Sequence, residues 1–206
     1  MSKTQIVTGG IADDAVSEEH LDATAITGST ELAATPADTD EILISDAGTL
    51  KRIDYSYLKS ANSPFFLAER TSSEQQISDN TVTKVQFQTE TLDSGTVYDP
   101  STNYRFTPAI AGKYYVFSGA GLSGDANNQF LDGSLYMYKN GSEEVQAHAN
   151  MAENYPRTLT LTISHIFDLD DNDYIEIYAY VNRQTSGNAR VQQSDNTYFG
   201  AFKLAW

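Results

Sequence analysis

The chain has 206 residues, and its 13 basic and 28 acidic side chains give a formal net charge of −15. Proteins that bind nucleic acids place Lys and Arg against phosphates, so this charge argues against nucleic-acid and anionic-membrane partners. The chain contains no cysteine, which excludes disulfides and thiolate-bound metals, and no stretch approaches the 18 apolar residues of a membrane span.

Residues 1–35 form the first region. Most of its side chains are small, and it is acidic and poor in aromatic residues. They carry apolar residues at every fifth position, a period that fits neither a helix nor a strand. Such a segment should not order alone, and we expect an extended arm that places single apolar residues on a partner surface. The alternative is a coincidental pattern in a flexible arm. The candidate attachment residues are Ile6, Ile11, Val16, Leu21 and Ile26.

Residues 36–63 predict a small β-hairpin followed by a linker. Two apolar runs flank the segment Asp46-Ala47-Gly48, which indicates a hairpin with a three-residue turn. An isolated hairpin is marginal in water, so this one needs a neighbour or copies of itself. Residues 60–64 contain Pro64 and are typical of a linker.

Residues 64–206 predict an all-β antiparallel sandwich, because short segments of alternating apolar character follow one another to the end of the chain. In residues 174–181, Ile175 and Ile177 face one way, whereas Tyr178 and Tyr180 face the other. A row of outward tyrosines on a solvated sheet is unusual unless another surface covers it. In residues 158–167 we place His165 on the apolar face, as a core histidine.

Eight short segments of residues 64–206 carry a further signal: FFLA at 65–68, TKVQF at 83–87, YDP at 98–100, YRFTP at 104–108, GKYYVF at 112–117, LYMYKNG at 135–141, NDYIEI at 172–177 and FGAFKL at 199–204. In this order they resemble the globular head domain of complement C1q and its tumour-necrosis-factor-like relatives. Asn172 replaces a common glycine, and no collagen-like stalk precedes the head. The resemblance implies a jelly roll that assembles as a homotrimer. The candidate interface residues are Tyr136, Tyr138, Tyr178 and Tyr180.

The N-terminal regions resemble something different. The segments GIADDAV at 10–16 and SDAGTLKRI at 45–53 are similar to N-terminal parts of fibre and spike proteins of tailed bacteriophages. The two resemblances together imply a virion protein that is made in the host cytoplasm and exposed on the particle surface. Residues 1–60 would then bind other virion proteins.

No catalytic or metal-binding motif is present, and we expect neither an enzyme nor a cofactor. The acidic run 168–173 lacks the glycine and glutamate spacing of a calcium loop, so we interpret it as a solvated turn. Two polar, glycine-rich stretches, 119–128 and 184–188, are candidates for loops that bind a host glycan or protein. Their candidate contact residues are Ser123, Asp125, Asn127, Asn128, Gln184 and Asn188.

Two functions remain open at this point. The first is a trimeric tail fibre or spike whose head binds the host surface. The second is a trimeric capsid or tail decoration protein without receptor binding. A polysaccharide-degrading tailspike is disfavoured, because such enzymes place paired carboxylates on a long β-helix and this chain has no repeat to build one.

Overall fold

The structure is a computed structural model that describes residues 24–58 and 62–204. The chain divides into two compact units, residues 1–59 and residues 60–206. Of the candidate attachment residues, Ile6, Ile11, Val16 and Leu21 lie outside the described residues. Ile26 lies in a single α-helical turn, Thr24–Thr27, and its side chain is 83% exposed.

The first unit contains an antiparallel hairpin of β1 (Glu41–Asp46) and β2 (Thr49–Asp54), followed by a 3-10 turn at Tyr55–Tyr57. The predicted three-residue turn is wrong, because Asp46 pairs directly with Thr49 and leaves a two-residue loop. Ala47 and Gly48 both have positive φ, at 50° and 80°. This is the type I′ geometry whose twist matches the flanking strands.

The second unit is the predicted all-β antiparallel sandwich. Its strands are β3 (Phe65–Arg70), β4 (Gln75–Ser78), β5 (Thr83–Lys84), β6 (Thr89–Asp93), β7 (Tyr98–Asp99), β8 (Arg105–Phe106), β9 (Gly112–Ser123), β10 (Phe130–Lys139), β11 (Ser142–Asn150), β12 (Thr158–Leu169), β13 (Ile175–Arg183), β14 (Asn188–Val191) and β15 (Ser194–Lys203).

Two sheets make up this sandwich. The six-stranded sheet has the order β11-β10-β13-β8-β7, with β5 also on β13, and the seven-stranded sheet has the order β4-β14-β9-β15-β3-β6, with β12 on β9. The last strand, β15, lies in the middle of the seven-stranded sheet, between β9 and β3. This sheet therefore joins strands from the beginning, middle and end of the second unit.

The core lies between the two sheets and is rich in aromatic rings. Phe66 stacks on Tyr98 and on Phe106, at centroid distances of 4.8 and 4.9 Å, and meets Phe199 edge-on at 4.8 Å. The buried Tyr98 hydroxyl donates a hydrogen bond to the carbonyl of Phe87. The predicted alternation in β13 is confirmed, because Ile175, Ile177, Ala179 and Val181 are fully buried.

Candidate functional site

Three connecting segments meet at one end of the sandwich. They are the β9–β10 connection (124–129), the β11–β12 connection (151–157) and the β13–β14 connection (184–187). The amide of Gly124 donates to the carbonyl of Arg157 at 2.8 Å, and the amides of Gln184 and Thr185 donate to the carbonyl and side-chain oxygen of Gln129, both at 3.0 Å. We call this region the loop end.

An arginine on β14 fixes the first of these segments. Arg190 donates from Nε and Nη2 to the two carboxylate oxygens of Asp125, at 2.6 and 3.2 Å, and from Nη1 to Glu74 at 3.1 Å. The pKa of Asp125 is lowered, first by the hydrogen bond from Arg190 and also by the charges of Arg190, Arg157 and Arg183. Three guanidinium groups therefore act on this one carboxylate.

The predicted recognition stretch at 119–128 needs correction. Residues 119–123 belong to β9, which extends through Gly119 and Gly121 and ends at Ser123, and all five of these residues are buried. Ser123 is 2% exposed, accepts from the amide of Asp125 and donates to the carbonyl of Arg157, so it supports the loop instead of facing a ligand.

The other candidate contact residues remain accessible. Asn127, Asn128 and Gln184 are exposed in the connections, and Asn188 is exposed as the first residue of β14. Asp125 is half-buried and already bound to Arg190. The sequence reasoning found both loops but missed the arginines around them, because Arg157, Arg183 and Arg190 stand far apart from Asp125 along the chain.

The four candidate interface tyrosines lie together on the outer face of the six-stranded sheet. Tyr136 is directly opposite Tyr178 on the neighbouring strand, and the rings of Tyr138 and Tyr178 are 4.3 Å apart. We call Tyr136, Tyr138, Tyr178 and Tyr180 the tyrosine surface. Tyr136 is only 8% exposed in the single chain, so these rings already cover one another.

Hydrogen bonds within the chain occupy two hydroxyls of the tyrosine surface. Tyr180 donates to Oδ1 of Asn80 at 2.6 Å, and Tyr178 donates to the carboxylate of Glu176 at 3.3 Å. Burial, with the neighbouring charge of Glu176, raises the pKa of Tyr178 to about 12. Glu176 itself is 5% exposed and pairs with Lys84 at 2.5 Å. Two of the four hydroxyls of the tyrosine surface thus form hydrogen bonds within the single chain.

A second aromatic surface, missed by the sequence reasoning, covers the outer face of the seven-stranded sheet. One cross-strand row runs Ile166, Tyr115, Phe202, Phe65, and the next contains Phe117, Gly200, Leu67 and Leu92. Glycine at position 200 leaves room for the Phe117 ring, which a β-carbon would meet at 2.5 Å. We call this the Phe117 surface, and its members are Phe65, Leu67, Leu92, Tyr115, Phe117, Ile166, Tyr198 and Phe202.

The Phe117 surface is more exposed than the tyrosine surface. Ile166 is 53% exposed, Leu92 is 51% and Phe65 is 39%. An apolar groove of about 340 Å³ runs between Phe65, Leu92, Phe117 and Phe202. The sequence signal that could have revealed this surface is the alternation in YYVF at 114–117. Tyr114 and Val116 point to the core, whereas Tyr115 and Phe117 point away from it.

At the opposite end of the sandwich, the acidic run is a turn between β12 and β13. Asp173 pairs with Lys139 at 2.8 Å, accepts from Asn140 at 2.7 Å and accepts from the amide of Asp170 at 2.9 Å. These donors, Lys139 first, lower the pKa of Asp173 to about 2. Within residues 24–58 and 62–204, no group of three His, Asp or Glu side chains is placed to hold a metal ion.

Two histidines are described in the sandwich, and the sequence expectation for one of them is wrong. His165 lies on the same face of β12 as the buried Ile163 and Phe167, but its side chain is exposed and its ring meets that of Phe167 edge-on at 4.8 Å. His148 is also exposed, and its Nδ1 lies 2.8 Å from the buried hydroxyl of Ser134. In the described part of the chain, no helix is long and apolar enough to span a membrane.

Comparison with known proteins identifies the type of fold to which the sandwich belongs. No protein-family model matches the chain, and no curated protein matches its sequence. Among solved structures, murine APRIL at pH 5.0 superposes with a TM-score of 0.50 at 16% identity, over 68% of this chain and 98% of that chain. The sandwich therefore has the jelly-roll fold of the tumour-necrosis-factor-like and C1q-like domains.

Two further structures are similar at slightly lower scores. The Eiger tumour necrosis factor of S. frugiperda has a TM-score of 0.49 at 12% identity, over 69% of this chain and 94% of that chain. The globular domain of zebrafish complement 1qA has a TM-score of 0.48 at 16% identity, over 69% of this chain and 98% of that chain.

Proposed function

We propose that this chain is a homotrimeric binding head whose loop end contacts a ligand on a host surface. The observation that carries the proposal is the gathering of three polar connections at one end of a rigid sandwich. Loops on such a scaffold are the usual place for recognition, since their side chains can vary without disturbing the core. The Arg190–Asp125 pair orders one of these loops before any ligand arrives.

The proposed trimer packs through the Phe117 surface. Its exposed apolar rows would otherwise face water, and contiguous patches of this kind mark interaction sites. The tyrosine surface remains a second candidate, but its rings already cover one another, and two of its four hydroxyls already form hydrogen bonds within one chain. An obligate interface buries on the order of 2,000 Å² and is apolar, which matches the Phe117 surface better.

The N-terminal unit supports a role in attachment to a larger assembly. Leu43 and Leu50 of the hairpin are 67% and 68% exposed, and Ile42 is 44% exposed. A two-stranded hairpin with exposed apolar residues needs a partner to be stable. Together with the resemblance of the segments 10–16 and 45–53 to N-terminal parts of phage fibre and spike proteins, this favours a tail fibre or spike of a tailed bacteriophage, located on the virion.

The alternative is a decoration protein that forms the same trimer but binds no receptor. Such a decoration protein would use the Phe117 surface for its trimer and residues 1–60 for attachment, and it would make no use of the loop end.

The fibre hypothesis makes a prediction about affinity. Each fibre would carry three heads and each particle several fibres, which would raise a weak single-site affinity by roughly 10² to 10⁴ through effective concentration. Single heads should then release host cells quickly while particles adhere.

The deciding experiment exchanges the connections 124–129 and 184–187 for short Asn-Gly turns in the full chain and measures particle adsorption to host cells. A control variant alters the opposite end of the sandwich, by Asp171→Asn at an exposed position of the β12–β13 turn. Receptor binding predicts a loss of adsorption for the exchange and none for the control, with the trimer and its incorporation into particles intact. Unchanged adsorption by assembled particles would favour the decoration protein.

A further inference from the structure

Two arginines at the loop end have no carboxylate partner in the described part of the chain. Arg190 is bound to Asp125 and Glu74, and Lys84, Lys113 and Lys139 of the second unit also pair with carboxylates. Within residues 24–58 and 62–204, the guanidinium groups of Arg157 and Arg183 form no ion pair. Arg183 is paired with Phe130 of β10, and the amide of Phe130 donates to the carbonyl of Pro156, so Arg157 and Arg183 lie at the same end of the sandwich.

Hydrogen bonds fix the backbone of Arg157, and packing against Gly187 positions the side chain of Arg183. The carbonyl of Arg157 accepts from the amide of Gly124 and from the hydroxyl of Ser123, which fixes its backbone beside the first loop. Arg183 packs over Gly187, where any β-carbon would clash with its Nη1 atom. The amide of Arg183 donates to Oδ1 of Asp79, and its buried Nε has no hydrogen-bond partner.

An arginine that is oriented but unpaired presents a planar fork of donors. Such a fork matches the oxygens of a carboxylate or a phosphate, and charge-assisted hydrogen bonds of this type are about twice as strong as neutral ones. The potential that an anionic ligand meets at the loop end depends mainly on the charges close to it, because charges more than about 8 Å away are screened at physiological salt.

We propose that Arg157 and Arg183 bind an oxyanion carried by a host surface polysaccharide, either a uronic-acid carboxylate or a polyol phosphate. This inference rests on the proposed function of the loop end and names the class of its ligand. The exposed amides of Asn127, Asn128 and Gln184 lie in the connections of the same loop end and suit the sugar hydroxyls around such a group. Arg190 compensates the negative charge of Asp125, which lessens the repulsion that this carboxylate would exert on the ligand.

The test measures binding of the full chain to three probes by titration calorimetry. They are oligogalacturonate, its carboxyl-reduced neutral counterpart and poly(glycerol phosphate). The variants are Arg157→Gln, Arg183→Gln and the double substitution. The matched control is Arg105→Gln, because Arg105 stacks on the Tyr174 ring at 4.5 Å beside the opposite end of β13 and forms no ion pair in the described chain. All variants change the charge in the same direction.

The expected result is that the full chain binds one of the two charged probes, that each single loop-end variant weakens binding about tenfold, and that the control leaves it unchanged. The stronger charged probe identifies the source of the oxyanion. If the Arg183→Gln variant does not fold, the Arg157→Gln variant alone tests the inference, because Arg157 is exposed and its substitution should not disturb the fold. Equal binding of the neutral probe, equal binding by the variants, or no binding of any probe would overturn the inference. The loop-exchange adsorption experiment separately decides whether the loop end binds a host at all.

Discussion

Arg190 forms a bidentate ion pair with Asp125, which lies 65 residues earlier in the sequence, and one guanidinium nitrogen donates to each carboxylate oxygen. This contact ties the β9–β10 connection to the short strand β14. We predict that Asp125→Asn increases amide hydrogen exchange in residues 124–129 while lowering the free energy of unfolding by about 1 kcal/mol or less, since part of the pair is exposed. Exchange measured by mass spectrometry, with denaturant unfolding alongside, would test both parts.

Glu74→Gln provides the control for this contact, because it removes the other carboxylate of Arg190 and leaves Asp125 bound. We expect exchange in residues 124–129 to stay near the original rate in this variant. Equal protection in Asp125→Asn and in the original chain would mean that the backbone hydrogen bonds of the loop suffice to order it.

The second prediction concerns the trimer interface. Light scattering at micromolar concentration should give three times the chain mass of 22.6 kDa. Leu92→Asp and Ile166→Asp place a charge on exposed positions of the Phe117 surface and should yield folded monomers. Tyr138→Asp on the tyrosine surface is the comparison, and loss of the trimer in that variant alone would move the interface to the six-stranded sheet. A monomeric original chain would contradict the trimer altogether.

The fold could be predicted because its signals are local. Alternation in β13 put Ile175 and Ile177 in the core, and both are buried. The Asn140-Gly141 pair marked the β10–β11 hairpin, and both residues have the positive φ that the turn requires. The sequence order of strand-like segments, together with the family resemblance, was enough to identify the sandwich.

The site was harder to predict because its contacts are between residues distant in the chain. No local pattern links Asp125 to Arg190, or Arg157 to the loop that begins at Gly124. Glycines at 119 and 121 looked like a loop, although they lie in β9 where Tyr198 and Gln192 pack against the bare backbone. The tyrosine row was predicted from alternation, but the hydrogen bond from Tyr180 to Asn80 joins residues that are 100 positions apart in the sequence.

The third prediction tests the aromatic core. Phe66 is 2% exposed and contacts three other rings, so Phe66→Ala should lower the free energy of unfolding by about 3–5 kcal/mol. Val82→Ala, at a position that is 42% exposed, should cost less than about 0.5 kcal/mol. Urea titration of both variants measures the difference, and a loss below 1 kcal/mol for Phe66→Ala would contradict the packing.

The fourth prediction concerns residues 1–60. Because the second unit has its own core, deletion of residues 1–60 should leave a folded trimeric head that is absent from virions. Ile11→Asp with Val16→Asp in the full chain is the subtler variant and should reduce incorporation without changing the head. Circular dichroism, light scattering and the protein content of purified particles check these expectations. Incorporation of the truncated chain would place the attachment function in the head.

The last prediction is a loss of stability in acid that depends on Asp173. Its pKa is about 2 in the folded chain, well below the ordinary value near 3.9, so the unfolded chain binds a proton first as the pH falls. The stabilisation is therefore complete above about pH 5 and disappears between about pH 4 and pH 2. Asp173→Asn should lower the free energy of unfolding at pH 7 by about 1–2 kcal/mol, allowing for solvent screening, and the gap should shrink towards pH 2. Asp171→Asn removes the same charge from the same turn but keeps the pair with Lys139, so it is the matched control. Urea titrations at pH 7, 4 and 2 would measure the gap, and a gap that is constant across this range would show that the ion pair contributes nothing to it.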